Sequence, residues 1–155
     1  MTLLEPDNYF SIETLSETQN TNGNIFISTY TAATKSRMFT TPELRTITTK
    51  YDNLDRVSKI SIPGLTDVDY TYNDDGKLTE KKLGSRVFSY DYNPNGFLST
   101  LTTPMQKAYA FEYDLAGRIV KETLPGTKVI SYTYDPAGNL MSITPPGKPI
   151  HAFVF

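Results

Sequence analysis

The chain has no cysteine, no tryptophan and a single histidine in 155 residues. Without cysteine there is no disulfide frame, no thiol nucleophile and no thiolate metal site, and one imidazole is too little to build a zinc centre. A dominant charge is missing as well. Fifteen basic and seventeen acidic residues leave a net charge of -2, so no net field draws in nucleic acid or an anionic membrane, and neither is expected as a partner. No run approaches the roughly 18 apolar residues of a membrane-spanning helix. The opening "MTLLEPDNYF" has neither a basic n-region nor an apolar h-region, so this chain carries no export signal of its own, and its compartment is left undetermined. A Gly-x-Ser-x-Gly elbow is also lacking. "NDDGK" does not make a calcium loop, because Thr71 stands where the first Asp is needed. His151, in "GKPIHAF", has no candidate ligand or base beside it and reads as a strand residue near the terminus. No catalytic residue, cofactor or metal is expected.

What is plentiful is aromatic and β-favouring. Eleven Tyr and eight Phe, many Thr and Ser, and only 21% charged residues point to strands rather than helices. The length suits one domain with a modest core. Counting towards the N-terminus from Tyr134 in "SYTYDPAGNL" finds Tyr113, Tyr92, Tyr72 and Tyr51, at spacings of 21, 21, 20 and 21. One residue after each comes Asp135, Asp114, Asn93, Asn73 or Asp52, and four after come Gly138, Gly117, Gly96, Gly76 and, in the first unit, Asp55. Two further on lie Leu140, Ile119, Leu98, Leu78 and Val57. Twelve after each Tyr stands Pro146, Pro125, Pro104, Gly84 or Pro63.

Before each Tyr the apolar positions alternate, as in Phe88, Tyr90 and Tyr92, which predicts a strand with one buried face. The Asp-x-x-Gly that follows suits a type I turn: the acid caps a backbone N–H, Pro94 or Pro136 presets φ, and Gly takes the left-handed conformation that closes a bulged hairpin. Asp55 is among the few other residue types that tolerate positive φ. On the return strand the apolar positions fall six and, in Ile60, Leu101 and Ile143, nine residues after the Tyr. That odd separation implies a bulge or an early turn. Each unit is therefore a β-hairpin, and the Pro or Pro-Gly after it leads into the next.

Residues 1–29 do not follow the unit and read as an atypical capping segment, apart from Phe26 at an inward position; Tyr30 opens a degenerate copy that keeps Pro42. At the other end the chain stops after the first strand of a further hairpin, with Phe153, Val154 and Phe155 in its last strand. An apolar terminal strand is expected to be an edge that pairs, with the rest of a longer protein or with a second copy.

The units "YTYNDDGKL", "YDYNPNGFL", "FEYDLAGRI" and "YTYDPAGNL" resemble the YD repeats of the Rhs family, found also in Tc toxin complexes and teneurins. The resemblance covers roughly residues 30 to 155. It implies an all-β fold of tandem antiparallel hairpins forming a curved sheet, a partial spiral shell or a barrel, and a structural, non-enzymatic role. In the family such shells enclose a C-terminal toxin, so the implied partners are further shell segments or a toxin. Asp135-Pro136-Ala137-Gly138 is superficially similar to the family's aspartate cleavage motif, but it occupies a repeat turn, is followed by Asn139 and has no identifiable partner carboxylate. Six hairpins make about twelve strands and a sheet about 58 Å wide at roughly 4.8 Å per strand. Rolled up, that is about 18 Å across, too narrow for a folded cargo of about 100 residues with a radius of gyration of roughly 13 Å.

The repeat residues are thus structural candidates: Tyr51, Tyr72, Tyr92, Tyr113 and Tyr134, the caps Asp114 and Asp135, and Gly76, Gly96, Gly117 and Gly138. The tyrosine ladder reads as a packing seam, because aliphatic residues share its face. The alternative is a platform on which a surface glycan or a partner protein stacks. Lys81, Lys82 and Arg86 read as a solvated strand face.

Overall fold

The computed structural model describes residues 2–3 and 12–154. The chain divides into two compact units, Met1–Gly76 with Lys81–Ser85, and Lys77–Glu80 with Arg86–Phe155. The first holds β1 (Thr2–Leu3), β2 (Ile12–Thr21), β3 (Asn24–Thr31), β4 (Ser36–Thr40), β5 (Thr46–Tyr51), β6 (Val57–Ser61) and β7 (Val68–Tyr72). The residues of β8 (Leu78–Leu83) are divided between the units. The second holds β9 (Arg86–Tyr92), β10 (Leu98–Thr102), β11 (Ala108–Tyr113), β12 (Ile119–Leu124), β13 (Lys128–Tyr134), β14 (Leu140–Thr144) and β15 (His151–Ala152). Within each unit every strand runs antiparallel to its chain neighbour, so spatial order is sequence order. The expected all-β hairpin array is the fold.

The bulge inferred from the return strands is present, and it explains their pattern. Tyr92 lies opposite Leu98, but the next pair is Asp91 with Thr100, so Ser99 is the extra residue. The same shift separates Tyr51–Val57 from Lys50–Lys59, Tyr113–Ile119 from Glu112–Lys121, and Tyr134–Leu140 from Thr133–Ser142. One inserted residue carries the strand through an extra reversal of facing, which puts the apolar positions six and nine residues after the Tyr on the same face. Leu101 accordingly faces Tyr90, and Ile143 faces Tyr132.

The turns follow the predicted chemistry. Gly117 N donates to Asp114 O at 3.0 Å and Asp114 N to Arg118 O at 2.9 Å, closing a three-residue loop with Gly117 at φ +79. Asp55 holds the same place at φ +57. The connections at the other end of the hairpins can close in the same way. Thr41 and Thr103 start loops in which Leu44 and Gln106 take positive φ, and each Thr Oγ1 accepts a backbone N–H four residues on.

Residues 12–31 carry a further hairpin, which shares its second strand with the Tyr30 unit. β2 pairs with β3 from Thr14–Thr31 to Thr21–Asn24, turned by Asn22-Gly23, both at positive φ. Asn-Gly between strands is the strongest short hairpin signal, and it lies in the segment expected to be an atypical cap. With β1 and β15 this brings the described strands to fifteen, against the twelve estimated from six hairpins.

Among the described residues the expected core is absent. No hydrophobic residue among the described ones is buried, and the only buried polar residue among them is Ser142 at 5% exposure. Among the described residues the elements are strands, apart from the short 3-10 turn Ala32–Thr34, and none forms a helical layer over the sheet, so the tyrosine face is half-buried instead. The opposite face is polar and cross-linked pairwise: Lys59 sits between Asp67 and Asp69 at 3.0 and 3.1 Å, Lys121 meets Glu112 at 2.6 Å, and Thr133 meets Ser142 at 2.6 Å.

Candidate functional site

With no core to rely on, the hairpins are held by a periodic set of links at the Tyr end of each unit. Every repeat Tyr from the second onward donates its hydroxyl to a backbone carbonyl of the preceding unit. Tyr72 reaches Val57 O at 2.9 Å, Tyr92 reaches Leu78 O at 2.8 Å, Tyr113 reaches Leu98 O at 2.8 Å, and Tyr134 reaches Ile119 O at 2.9 Å. Each acceptor is the aliphatic residue six positions after the previous Tyr. Burial pushes the phenol pKa of Tyr92 and Tyr113 up, as expected of hydroxyls withdrawn from water.

A second link comes from the residue just after the left-handed turn position. Its side chain lies over the next unit's Tyr ring: Arg56 over Tyr72 at 4.5 Å, Lys77 over Tyr92 at 5.3 Å, and Arg118 over Tyr134 at 4.6 Å. Phe97 takes the same place by stacking on Tyr113, with centroids 4.9 Å apart. All three cations also donate to the next turn's backbone, Arg56 to Asn73 O, Lys77 to Gly96 O and Arg118 to Asp135 O.

The capping acids anchor the cations. Asp114 accepts the N–H groups of Ala116 and Arg118, both at 2.9 Å, and Arg118 Nε at 2.7 Å. The Arg118 N–H leads the interactions that hold its carboxyl below the usual range. Asp52 is built alike on Leu54 and Arg56; burial works against its ionisation, and the hydrogen bonds from Arg56 outweigh it, so its pKa is lowered too. Asp135 is held low chiefly by the Asn139 side-chain amide, at 2.8 Å.

The structure therefore brings the tyrosines, the caps and the turn glycines together at one end of each hairpin. The position that ties them to the next unit was not among the sequence candidates. A signal for it exists, since Lys35, Arg56, Lys77 and Arg118 recur in phase. The same contacts bear on the proposed tyrosine platform, because four of its five repeat rings are already covered from the side. Elsewhere on that face Lys81 lies 6.0 Å from the Tyr70 ring, and the Tyr132 hydroxyl meets Glu122 at 3.2 Å. At the C-terminal edge β15 pairs with β14, and Phe153 N adds a bond to Met141 O at 2.8 Å. Phe153 and Val154 are 38% and 95% exposed, and Phe155 lies outside the described residues. No group of His, Asp and Glu suited to a metal occurs among the described residues.

The sequence matches the profile of the family described as Teneurin YD-shell over residues 5–155. The chain belongs to that family. The YD-shell match takes in the Asn22-Gly23 hairpin as well as the regular repeats. No match was found among curated proteins. Among solved structures the YD-shell segment is similar to a chain in the crystal structure of TcdB2-TccC3-Cdc42, with a TM-score of 0.65, 16% identity, and 87% of this chain against 8% of that one. A TcdB2-TccC3-TEV crystal structure gives 0.64, 16%, 90% and 9%. A Photorhabdus luminescens Tc holotoxin pore with a mutated TccC3 gives 0.64, 16%, 87% and 8%. At this identity the likeness is one of fold, and the chain spans under a tenth of each of those chains. It is a structural shell segment.

Proposed function

We propose that the chain is a non-catalytic length of wall in a YD shell that, with further repeats, encloses a C-terminal toxin or comparable cargo. The observation that carries this reading is the lateral linkage. From the Tyr51 unit onward each hairpin is fastened to the next by a Tyr hydroxyl and a covering side chain, while no described apolar residue is buried within the chain itself. Such an array gains stability by adding neighbours, as repeat proteins do. It offers a wall of one sheet's thickness, with a polar and an aromatic face. Its partners are then the adjoining shell segments, which pair with the edge at β15, and the cargo behind the wall.

Two measurements test this. Light scattering of the purified chain, with and without residues 150–155, should give a mass above 17.4 kDa that falls on truncation; equal monomeric masses would remove the edge-pairing part. In the full protein containing this segment, a protease should spare the sequence enclosed by the shell until the shell is denatured. Cargo digested as fast as the free domain would reject enclosure.

A further inference from the structure

Three departures from the repeat fall together beside Tyr51. The turn after Tyr30 is one residue longer than its counterparts: Ala32–Thr34 form a 3-10 turn, and the left-handed residue is Lys35, at φ +43, five residues after the Tyr instead of four. The covering position held by Arg56, Lys77, Phe97 and Arg118 in later units therefore falls on Ser36, whose short hydroxyl turns back to Thr34 at 2.7 Å. Among the described residues the ring that Tyr51 meets is that of Tyr30, 6.5 Å away and tilted by 58°. Arg37 lies opposite Tyr30, where later units place an aliphatic residue opposite the Tyr, as Val57 opposite Tyr51 and Ile119 opposite Tyr113. Asp55 stands where the other clear units have glycine.

The result is an open cleft of about 300 Å³ lined by Tyr30, Tyr51, Arg37 and Asp55, at the small end of ligand-pocket sizes. Arg37 pairs with Glu17 at 3.7 Å and is 43% exposed, and Asp55 pairs with Lys35 at 3.8 Å and is 80% exposed. Long, solvated ion pairs of this kind contribute little, so both charges are available to a ligand. Register sets their order along the sheet. Arg37 is level with Thr49, two residues before Tyr51 on β5, and Asp55 is in the turn beyond Tyr51.

We propose that this cleft binds a zwitterion in which a short spacer joins a quaternary ammonium to a carboxylate or phosphate. The chain itself shows what such a ring takes. Three of the four later rings in the row are covered by a cation, at 4.5, 5.3 and 4.6 Å. Arg56 and Arg118 complete their hydrogen bonding on the carbonyl just after the covered Tyr, Asn73 O and Asp135 O. Here the corresponding carbonyl, Asp52 O, already accepts from Lys35 at 3.5 Å. The cation that fits is therefore one with no N–H to satisfy, and aromatic faces bind quaternary ammonium groups. Asp55 supplies its countercharge. Arg37 offers a fork of donors to the carboxylate or phosphate, and it repels a ligand that is only positive. This site stands apart from the shell reading and does not depend on it.

The test is saturation-transfer NMR on the purified chain with glycine betaine and phosphocholine as probes and choline as the cation-only control. Expected is transfer to the N-methyl protons of at least one zwitterion, with shifts of the Tyr30 and Tyr51 signals and weaker binding of choline. Asp55→Gly and Arg37→Leu install residues that other units carry, and circular dichroism checks their folding. Asp55→Gly should weaken zwitterion binding about tenfold or more. Arg37→Leu should abolish the preference over choline, an effect that mere loosening of the turn does not produce. Co-sedimentation with phosphatidylcholine vesicles, lost in Asp55→Gly, would make a lipid headgroup the source of the zwitterion; binding of the free probes alone would make it a soluble molecule. Absence of transfer from both zwitterions overturns the proposal. So does choline binding as tightly as betaine, binding that survives Asp55→Gly unchanged, or shifts confined to tyrosines outside the cleft.

Discussion

If lateral links replace a core, then Tyr113 should show it most clearly. Its hydroxyl donates to Leu98 O at 2.8 Å, its ring stacks on Phe97 at 4.9 Å, and Ile119 lies opposite it across the hairpin. Tyr113→Phe removes the hydrogen bond alone and should cost about 1 kcal/mol, lowering Tm by about 3 °C. Tyr113→Ala also removes a half-buried ring. Truncating a fully buried aromatic costs about 3–5 kcal/mol. Half of that, with about 1 kcal/mol each for the stacking and for the lost hydrogen bond, gives about 4 kcal/mol in all. The decisive quantity is the coupling between units. In a urea-denaturation cycle of Tyr113→Ala, Phe97→Ala and the double variant, the two changes should fail to add by about 0.5–1.5 kcal/mol. Strict additivity, or a neutral Tyr113→Phe, would refute the claim that the Tyr end of each hairpin carries the linkage.

Gly117→Val forces a branched side chain to φ +79, with a Cβ 2.6 Å from the Phe97 ring, and should destabilise by about 2–4 kcal/mol in thermal or urea melts. Asp55→Gly relieves a non-glycine residue at φ +57 and should leave stability unchanged or raise it by up to about 1 kcal/mol; a clear drop would mean that the Asp55 side chain matters more to the turn than its φ. The carboxyl pKa values of Asp52, Asp114 and Asp135 are lowered in the fold, so their contribution is present above the ordinary Asp range near pH 4 and is lost as pH falls through their folded values. Urea midpoints should therefore decline below about pH 4, and Asp114→Asn should narrow the gap between the midpoints at neutral and acid pH. A midpoint flat with pH would show that these caps do not need their charge.

Much of this architecture was legible because it depends on local chemistry repeated in register. The Tyr spacing, the Asp-x-x-Gly turns and the alternation of Phe88, Tyr90 and Tyr92 each specify a hairpin from a few adjacent residues. Even the bulge was legible, since apolar residues at an odd spacing can share one face of a strand only if a residue is inserted between them. The hairpin at Asn22-Gly23 is equally local, but it stands outside the 21-residue period and so is invisible to a reading built on that period. The cover position is in phase, but its role lies between units. That Arg118 serves Asp114 in its own turn and the ring of Tyr134 in the next depends on how two hairpins sit side by side.

The sequence by itself determined the strands, the turns and their period, because backbone φ preferences and side-chain alternation act over a few residues. Only the tertiary structure decided what happens between the hairpins: that a single sheet layer leaves no described apolar side chain buried, that phenol hydroxyls and cations do the fastening instead, and that Tyr51 is left without a cover. The physical reason for the last is small and specific. One extra residue in the turn before it rotates Lys35 out of the covering position, and a shift of one residue along a chain becomes an open cleft only when the neighbouring strand is in place to show it.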